Sequence, residues 1–273
     1  MTAIADGLAG FAVAGITDTR PLPWLLASTA CLYAGGVTLN DFFDRELDTV
    51  ERPERPIPSG RVRPAAAAYL GAALLATGIL AATQISSEAV AIAAAIALFV
   101  LLYDTWGKHR IFFGPVNMGT CRGLNLLLGI STVPAALHAN YYLAFFPLIY
   151  VTAITALSRG EVHGGKRPVA VFSLVSLTLV LVALILLALD PNHRSWWGLA
   201  LVALFAGRVL PPFIKAFQHP EPPVIRNAVR TGVLSLVLLD AVIGGVFAGP
   251  LYSLLILATA ILAIGLARLF AVT

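Results

Sequence analysis

Apolar residues in this chain come in blocks close to twenty residues long, separated by short polar connections, and that patterning decides most of what the chain can fold into. A helix needs about 20 predominantly apolar residues to cross the hydrocarbon core of a bilayer. Inside lipid every backbone polar group must be satisfied within the structure, which leaves only helices and closed barrels. A barrel would show strands of about ten residues alternating apolar and polar, and no such ladder is present. The expected fold is an all-α polytopic transmembrane helical bundle. Composition agrees: 59% of residues are hydrophobic and 12% charged, whereas soluble domains are about a quarter charged. Ten blocks are visible, roughly residues 3–17, 22–43, 65–83, 88–105, 113–133, 141–158, 168–189, 195–214, 228–248 and 251–271. No linker, charge run or composition shift divides them, so residues 1–273 are expected to form a single transmembrane domain.

The formal charge of +4 does not point to nucleic acid, because thirteen of the eighteen Lys and Arg residues lie in alternate connections between blocks. Basic residues gather in the short loops that stay inside the cell. The loops holding Arg45 to Arg63, Lys108 and Arg110, Arg159 to Arg167, and Lys215 to Arg230 are therefore expected to face the cytosol. Every sizeable polar segment then lies on one face of the membrane, where the chemistry belongs. Cys31 and Cys121 sit within apolar blocks, have no CxxC spacing, and read as packing residues. The N-terminus has no basic region ahead of its apolar run, so no cleaved leader is expected.

The second block runs directly into Asn40-Asp41-Phe42-Phe43-Asp44-Arg45-Glu46-Leu47-Asp48. If the helix continues past Phe43, Asp41, Asp44 and Asp48 share one face, with Asn40 beside them. Three like charges so close require a cation, and hard carboxylate oxygens on one face suit Mg2+, which bridges to substrate phosphates. Arg52 and Arg55 follow, and the planar guanidinium fork matches phosphate oxygens. Pro53, Pro56 and Pro58 keep the loop from becoming helix before Gly60 allows a turn. An interfacial loop with solvated charges of both signs is the plain alternative. The helical spacing of the acids at the end of a membrane helix favours a magnesium diphosphate site.

This segment resembles the UbiA family of intramembrane prenyltransferases, which carries N-D-x-x-D-x-x-x-D followed by R-P-[IL]-x-x-G. The resemblance implies that Asp41, Asp44 and Asp48 hold Mg2+, that Asn40 contacts the diphosphate, and that Arg52 and Arg55 grip phosphate. It continues through Tyr103, Lys108, Gly114 and Asn117 and weakens beyond residue 168. The implied activity is transfer of an isoprenyl group from a prenyl diphosphate to an aromatic or other lipophilic acceptor in the bilayer, with a bacterial inner membrane as the expected location. Such enzymes usually have nine helices, against ten blocks here. They also carry a second acidic cluster after the sixth helix, where this chain reads Ser158-Arg159-Gly160-Glu161-Val162-His163-Gly164-Gly165-Lys166-Arg167. With Glu161 the lone carboxylate there, Arg159, Lys166 and Arg167 are expected to stabilise the leaving diphosphate themselves. This loop is similar to a UbiA-like branch found in Ebo-type metabolite clusters.

Asp6, Asp104, Arg122, Asn125 and Asp240 lie within or beside apolar blocks, where a charge costs roughly 2.5–3.5 kcal/mol unless partnered or wet. Arg122 and Asn125 share a helix face and are expected to touch diphosphate or acceptor, the alternative being a structural pair with Asp104 or Asp240. His163 reads as a solvated loop residue. Two other functions fit the composition less well. A CDP-alcohol phosphotransferase would need D-G and A-R elements that are missing; a transporter or silent lipid binder is made plausible by the eroded second acidic cluster, but the repeats and interrupted helices common in transporters are not displayed.

Overall fold

The computed structural model describes residues 2–15, 18–162, 164–193 and 195–270. His163, Arg194, residues 16–17 at the close of the first apolar block and residue 271 at the close of the last lie outside the described residues. Among those described, no strand occurs and twelve α-helices follow one another. They are α1 (Thr2–Val13), α2 (Leu22–Phe43), α3 (Arg45–Glu51), α4 (Pro64–Ala82), α5 (Ser87–Thr105) and α6 (Phe113–Ile130), then α7 (Pro134–Asn140), α8 (Phe145–Ser158), α9 (Arg167–Leu189), α10 (Trp196–Gln218), α11 (Pro222–Ala248) and α12 (Pro250–Phe270). Each of the ten apolar blocks becomes one long or medium helix, and α3 and α7 are short additions. Seven of the described helical segments are long and apolar enough to cross a membrane, which makes this an integral membrane protein.

Several helix ends depart from the block boundaries for local reasons. The first helix stops at Val13, and Gly15 turns with φ of 96°, a left-handed geometry that costs glycine little. Residues 134–140, expected as a connection, are helical because Pro134 occupies a first-turn position where its missing N–H is no loss. A short 3-10 turn, Tyr141–Ala144, then joins α7 to α8. Pro222 starts α11 six residues ahead of its apolar block in the same manner. At the other end, α10 runs through Pro211 and Pro212 to Gln218.

Two apolar cores form. The larger joins α1, α6, α8 and α9 to α12 through residues such as Leu126, Tyr150, Leu184, Phe205 and Ile243. A smaller one joins α2, α4 and α5 through Leu25, Leu32, Leu75 and Ala93, with Phe11 and Leu128 bridging from α1 and α6. Small residues set the closest approaches, as is usual where lipid removes the ordinary hydrophobic drive between helices. A Cβ placed on Gly10 of α1 would stand 2.8 Å from the Gly129 Cα of α6, so these two helices cross backbone to backbone. Gly71 and Gly78 of α4 receive Leu39 and Leu32 of α2 in the same way. Between the two cores the helices leave a cavity.

Candidate functional site

The charged end of that cavity is built by the α2–α3 junction. The helix does continue past Phe43: the Asp44 N–H donates to the Asn40 carbonyl at 2.9 Å and the Asp48 N–H to the Asp44 carbonyl at 2.8 Å. Asp44 itself has φ of −87° and ψ of 0°, a local bend between the two helices. Asp41 and Asp48 converge on one cation. Arg55 Nη1 donates to Asp41 Oδ1 at 2.9 Å and to Asp48 Oδ2 at 2.8 Å. Asp44 turns instead toward Lys108, whose Nζ lies 2.5 Å from its Oδ1. Asn40 Nδ2 donates to Asp104 Oδ1 at 3.0 Å. Residues distant in sequence are thus drawn into one polar cluster, and Asp48 is buried within it.

The carboxylates, each already engaged by a cation, do not form a ready cage: among the described residues no three potential metal ligands stand together. Their chemistry still fits Mg2+. Two hard oxygens share a single guanidinium nitrogen, so a cation already lies between them, and Mg2+ prefers one or two carboxylates plus phosphate and water over an all-protein cage.

Below the cluster the cavity has a volume of about 480 Å³. Asn40, Asp41, Arg55, Tyr103 and Asp104 line its mouth, and Leu32, Val37, Ile96, Val100, Val151, Ile154, Val233 and Leu236 line its length. A second polar patch closes the inner wall. Arg122 Nη1 donates to Asp6 Oδ2 at 2.7 Å and its Nη2 bonds Thr2 Oγ1; Asn125 Nδ2 donates to the Ala3 carbonyl at 2.6 Å and to Asp6 at 3.1 Å. Thr29 Oγ1 donates to Asn125. Along α2, Thr29 and Asn40 are eleven residues apart, so the two polar poles are separated by about 16 Å of helix. Arg122 is thus paired with Asp6, and not with Asp104 or Asp240. The reason is the glycine crossing of α1 on α6, which puts Asp6 opposite Arg122 and Asn125. Asp240 is fully buried on α11 and makes no hydrogen bond among the described residues.

Other residues singled out from the sequence stand apart from the cavity wall. Arg52 is exposed at the end of α3. Asn117 is buried in α6 with its Nδ2 unpartnered among the described residues. Arg159 donates through Nη2 to the carbonyls of Lys108 and Arg110, at 3.0 and 2.6 Å, and so braces the turn that carries Lys108. Lys166 is exposed ahead of α9. Glu161 is half-buried, and burial pushes its carboxyl above the usual carboxylate range, an effect partly offset by the Arg226 guanidinium. Among the cavity residues that sequence reasoning left outside the site, Asp104 is the carboxylate. Its signal was its place beside Tyr103 at the basic end of a helix.

A family model described as the UbiA prenyltransferase family matches residues 2–229. The digeranylgeranylglyceryl phosphate synthase of Methanothrix thermoacetophila is 33% identical over 195 residues, covering 67% of this chain and 73% of that protein. The synthase of the same name from Methanoculleus marisnigri is 29% identical over 241 residues, 83% of this chain and 86% of its own length. Others align over shorter stretches, as does that of Ignicoccus hospitalis, 36% identical over 46% of its length. Among solved structures, a UbiA homolog from Aeropyrum pernix has a TM-score of 0.75 at 14% identity, covering 89% of this chain and 95% of that one. A structure described for digeranylgeranylglyceryl phosphate synthase in membranes has a TM-score of 0.70 at 20% identity, covering 91% and 94%. With the aspartate-rich bend, the cavity beneath it and a family match over most of its length, the chain belongs to the UbiA prenyltransferase family.

Proposed function

We infer that this prenyltransferase moves an isoprenyl group from a prenyl diphosphate to a lipophilic acceptor, with the diphosphate held at the 40–55 segment as its magnesium complex. The observation that carries this reading is one cavity with a charged mouth and an apolar length. An isoprenoid tail requires apolar walls while its diphosphate requires cations, and the cavity offers both within one helix length. Asp41, Asp44 and Asp48 would hold the metal, which supplies positive charge against the leaving diphosphate. Arg55 and Lys108 are the protein cations nearest that position and would exchange carboxylate partners for phosphate oxygens. The walls keep water from the allylic carbon as its bond to diphosphate breaks. The basic loops favour a mouth at the cytosolic face of a plasma membrane, and α1 and α11 both lining the cavity supports one domain acting as a unit. The named relatives make a diprenylated glyceryl phosphate lipid, so a monoprenylated glyceryl phosphate is the first acceptor to try.

Diphosphate release from farnesyl or geranylgeranyl diphosphate tests the reading, using purified protein in lipid nanodiscs with acceptor and Mg2+. Asp41→Ala and Asp44→Ala are expected to lower turnover by at least about a hundredfold. Unchanged turnover and unchanged Mg2+ dependence in both variants would overturn it. The loop at 158–167, which offers Glu161 as its one carboxylate, favours a second reading as a silent binder. Tight Mg2+-dependent binding of the diphosphate with no consumption would select that one.

A further inference from the structure

The ion pairs at the cavity mouth account for Asp41, Asp44 and Asp48 but leave Asp104 over. It lies in the last turn of α5, 3% exposed. Its Oδ1 accepts the hydrogen bond from Asn40, and its Oδ2 has no partner among the described residues. The residue lines the cavity next to Tyr103, where the charged mouth gives way to apolar wall. A buried acceptor without a donor costs about 1–3 kcal/mol, and such exceptions ask for an explanation. Oδ2 is itself buried, so a reactant in the cavity reaches it only with a turn of the carboxyl, and to satisfy it that reactant must carry a hydrogen. The diphosphate, an anion, cannot supply it. The isoprenoid tail has no polar hydrogen. A ring C–H donates too weakly to satisfy a carboxylate. An acceptor hydroxyl meets the requirement.

We propose that Asp104 is a further catalytic residue, which receives the hydrogen bond of an acceptor hydroxyl on Oδ2 and takes its proton during transfer. This rests on the prenyl-transfer reading above and narrows its acceptor to a hydroxyl-bearing lipid. The step balances without a further reactant. The bond between the allylic carbon and the diphosphate oxygen breaks, and its electron pair leaves on diphosphate. The hydroxyl oxygen forms the new carbon–oxygen bond, and its proton passes to Asp104 Oδ2. The products are an ether, diphosphate and a neutral Asp104 that later returns its proton to water. Geometry favours the arrangement, because the Asn40 amide fixes Asp104 and stands directly beside Asp41. A hydroxyl docked on Oδ2 therefore lies next to where the leaving group sits.

Asp104→Asn separates this role from a structural one. The amide keeps the shape and can still accept from Asn40 through its oxygen, but it offers an N–H where the carboxylate offered a lone pair. Binding of an unreactive prenyl thiodiphosphate should stay within about threefold of the parent protein, whereas transfer to an alcohol acceptor falls by at least about a hundredfold. A more acidic phenolic acceptor, needing less help to lose its proton, should suffer a smaller loss, and Asp104→Glu should restore part of the alcohol rate. Unchanged turnover in Asp104→Asn, equal losses for alcohol and phenol, or loss of thiodiphosphate binding would each overturn the assignment. If the parent protein releases no diphosphate from any prenyl donor, the prenyl-transfer reading fails instead.

Discussion

Asp41, Asp44 and Asp48 were legible from the sequence because their relation is local. Spacings of three and seven residues fix a helix face wherever the helix goes, and Arg55 is close enough in the chain to fold back onto it. Asp6 was not legible as the partner of Arg122, since the two are 116 residues apart and meet through the crossing of α1 on α6. Asp104 was half legible: its burial near Tyr103 could be expected, but its bond to Asn40 could not. Glu161 provides a test at this scale. Burial raises its carboxyl in the folded protein, so the folded state holds that proton more tightly than the unfolded chain does. Stability is then fully present below the unfolded carboxyl's range and declines as pH rises through the raised value. Glu161→Gln has no proton to lose. Its melting temperature in detergent should match the parent's near about pH 4 and exceed it slightly at neutral pH, by a small margin because Glu161 is half-exposed. A melting difference that shrinks as pH rises would contradict this account.

At the scale of elements, block order and number came through while ends did not. Helix ends here are set by proline at first-turn positions and by glycine, single-residue effects that a hydropathy block averages away. The α1–α6 crossing likewise depends on two glycines that no periodicity marks. It predicts a sharp contrast between positions. Gly129→Val would drive its side chain into the Gly7 carbonyl and the Gly10 backbone, with an expected loss of about 1–3 kcal/mol or more. Because the crossing holds Asp6 against Arg122, the variant should also weaken prenyl thiodiphosphate binding. Gly207→Ala on α10, where an added Cβ meets nothing within 4 Å, should leave melting unchanged or raise it by the equivalent of about 1 kcal/mol. Thermal unfolding of both variants in the same detergent checks the pair.

For the whole molecule, membrane class and family could be read from blocks and one motif, whereas the cavity arises from where two separate cores fail to meet and no stretch of sequence encodes it. Its length should set which donors are accepted. Val233 lines it from α11. Val233→Trp should shorten the usable space and penalise a geranylgeranyl donor more than a geranyl one, since each excluded methylene forfeits about 0.8 kcal/mol. Competition between the two donors, scored by product mass, should shift by about tenfold or more toward the shorter chain. An unaltered ratio would place the tail elsewhere.

The pairing of Arg55 with Asp41 and Asp48, and of Lys108 with Asp44, also governs how a ligand is admitted. The mouth already carries its own countercharges, so capture is an exchange of partners rather than the filling of bare charges. A divalent cation arriving alone would have to evict a guanidinium with nowhere to go, and a diphosphate arriving alone would leave carboxylates uncovered. Only a particle carrying both signs lets every group trade one partner for another at once. Discrimination at the entrance then follows from charge bookkeeping within the ligand itself, before its tail has touched the apolar wall.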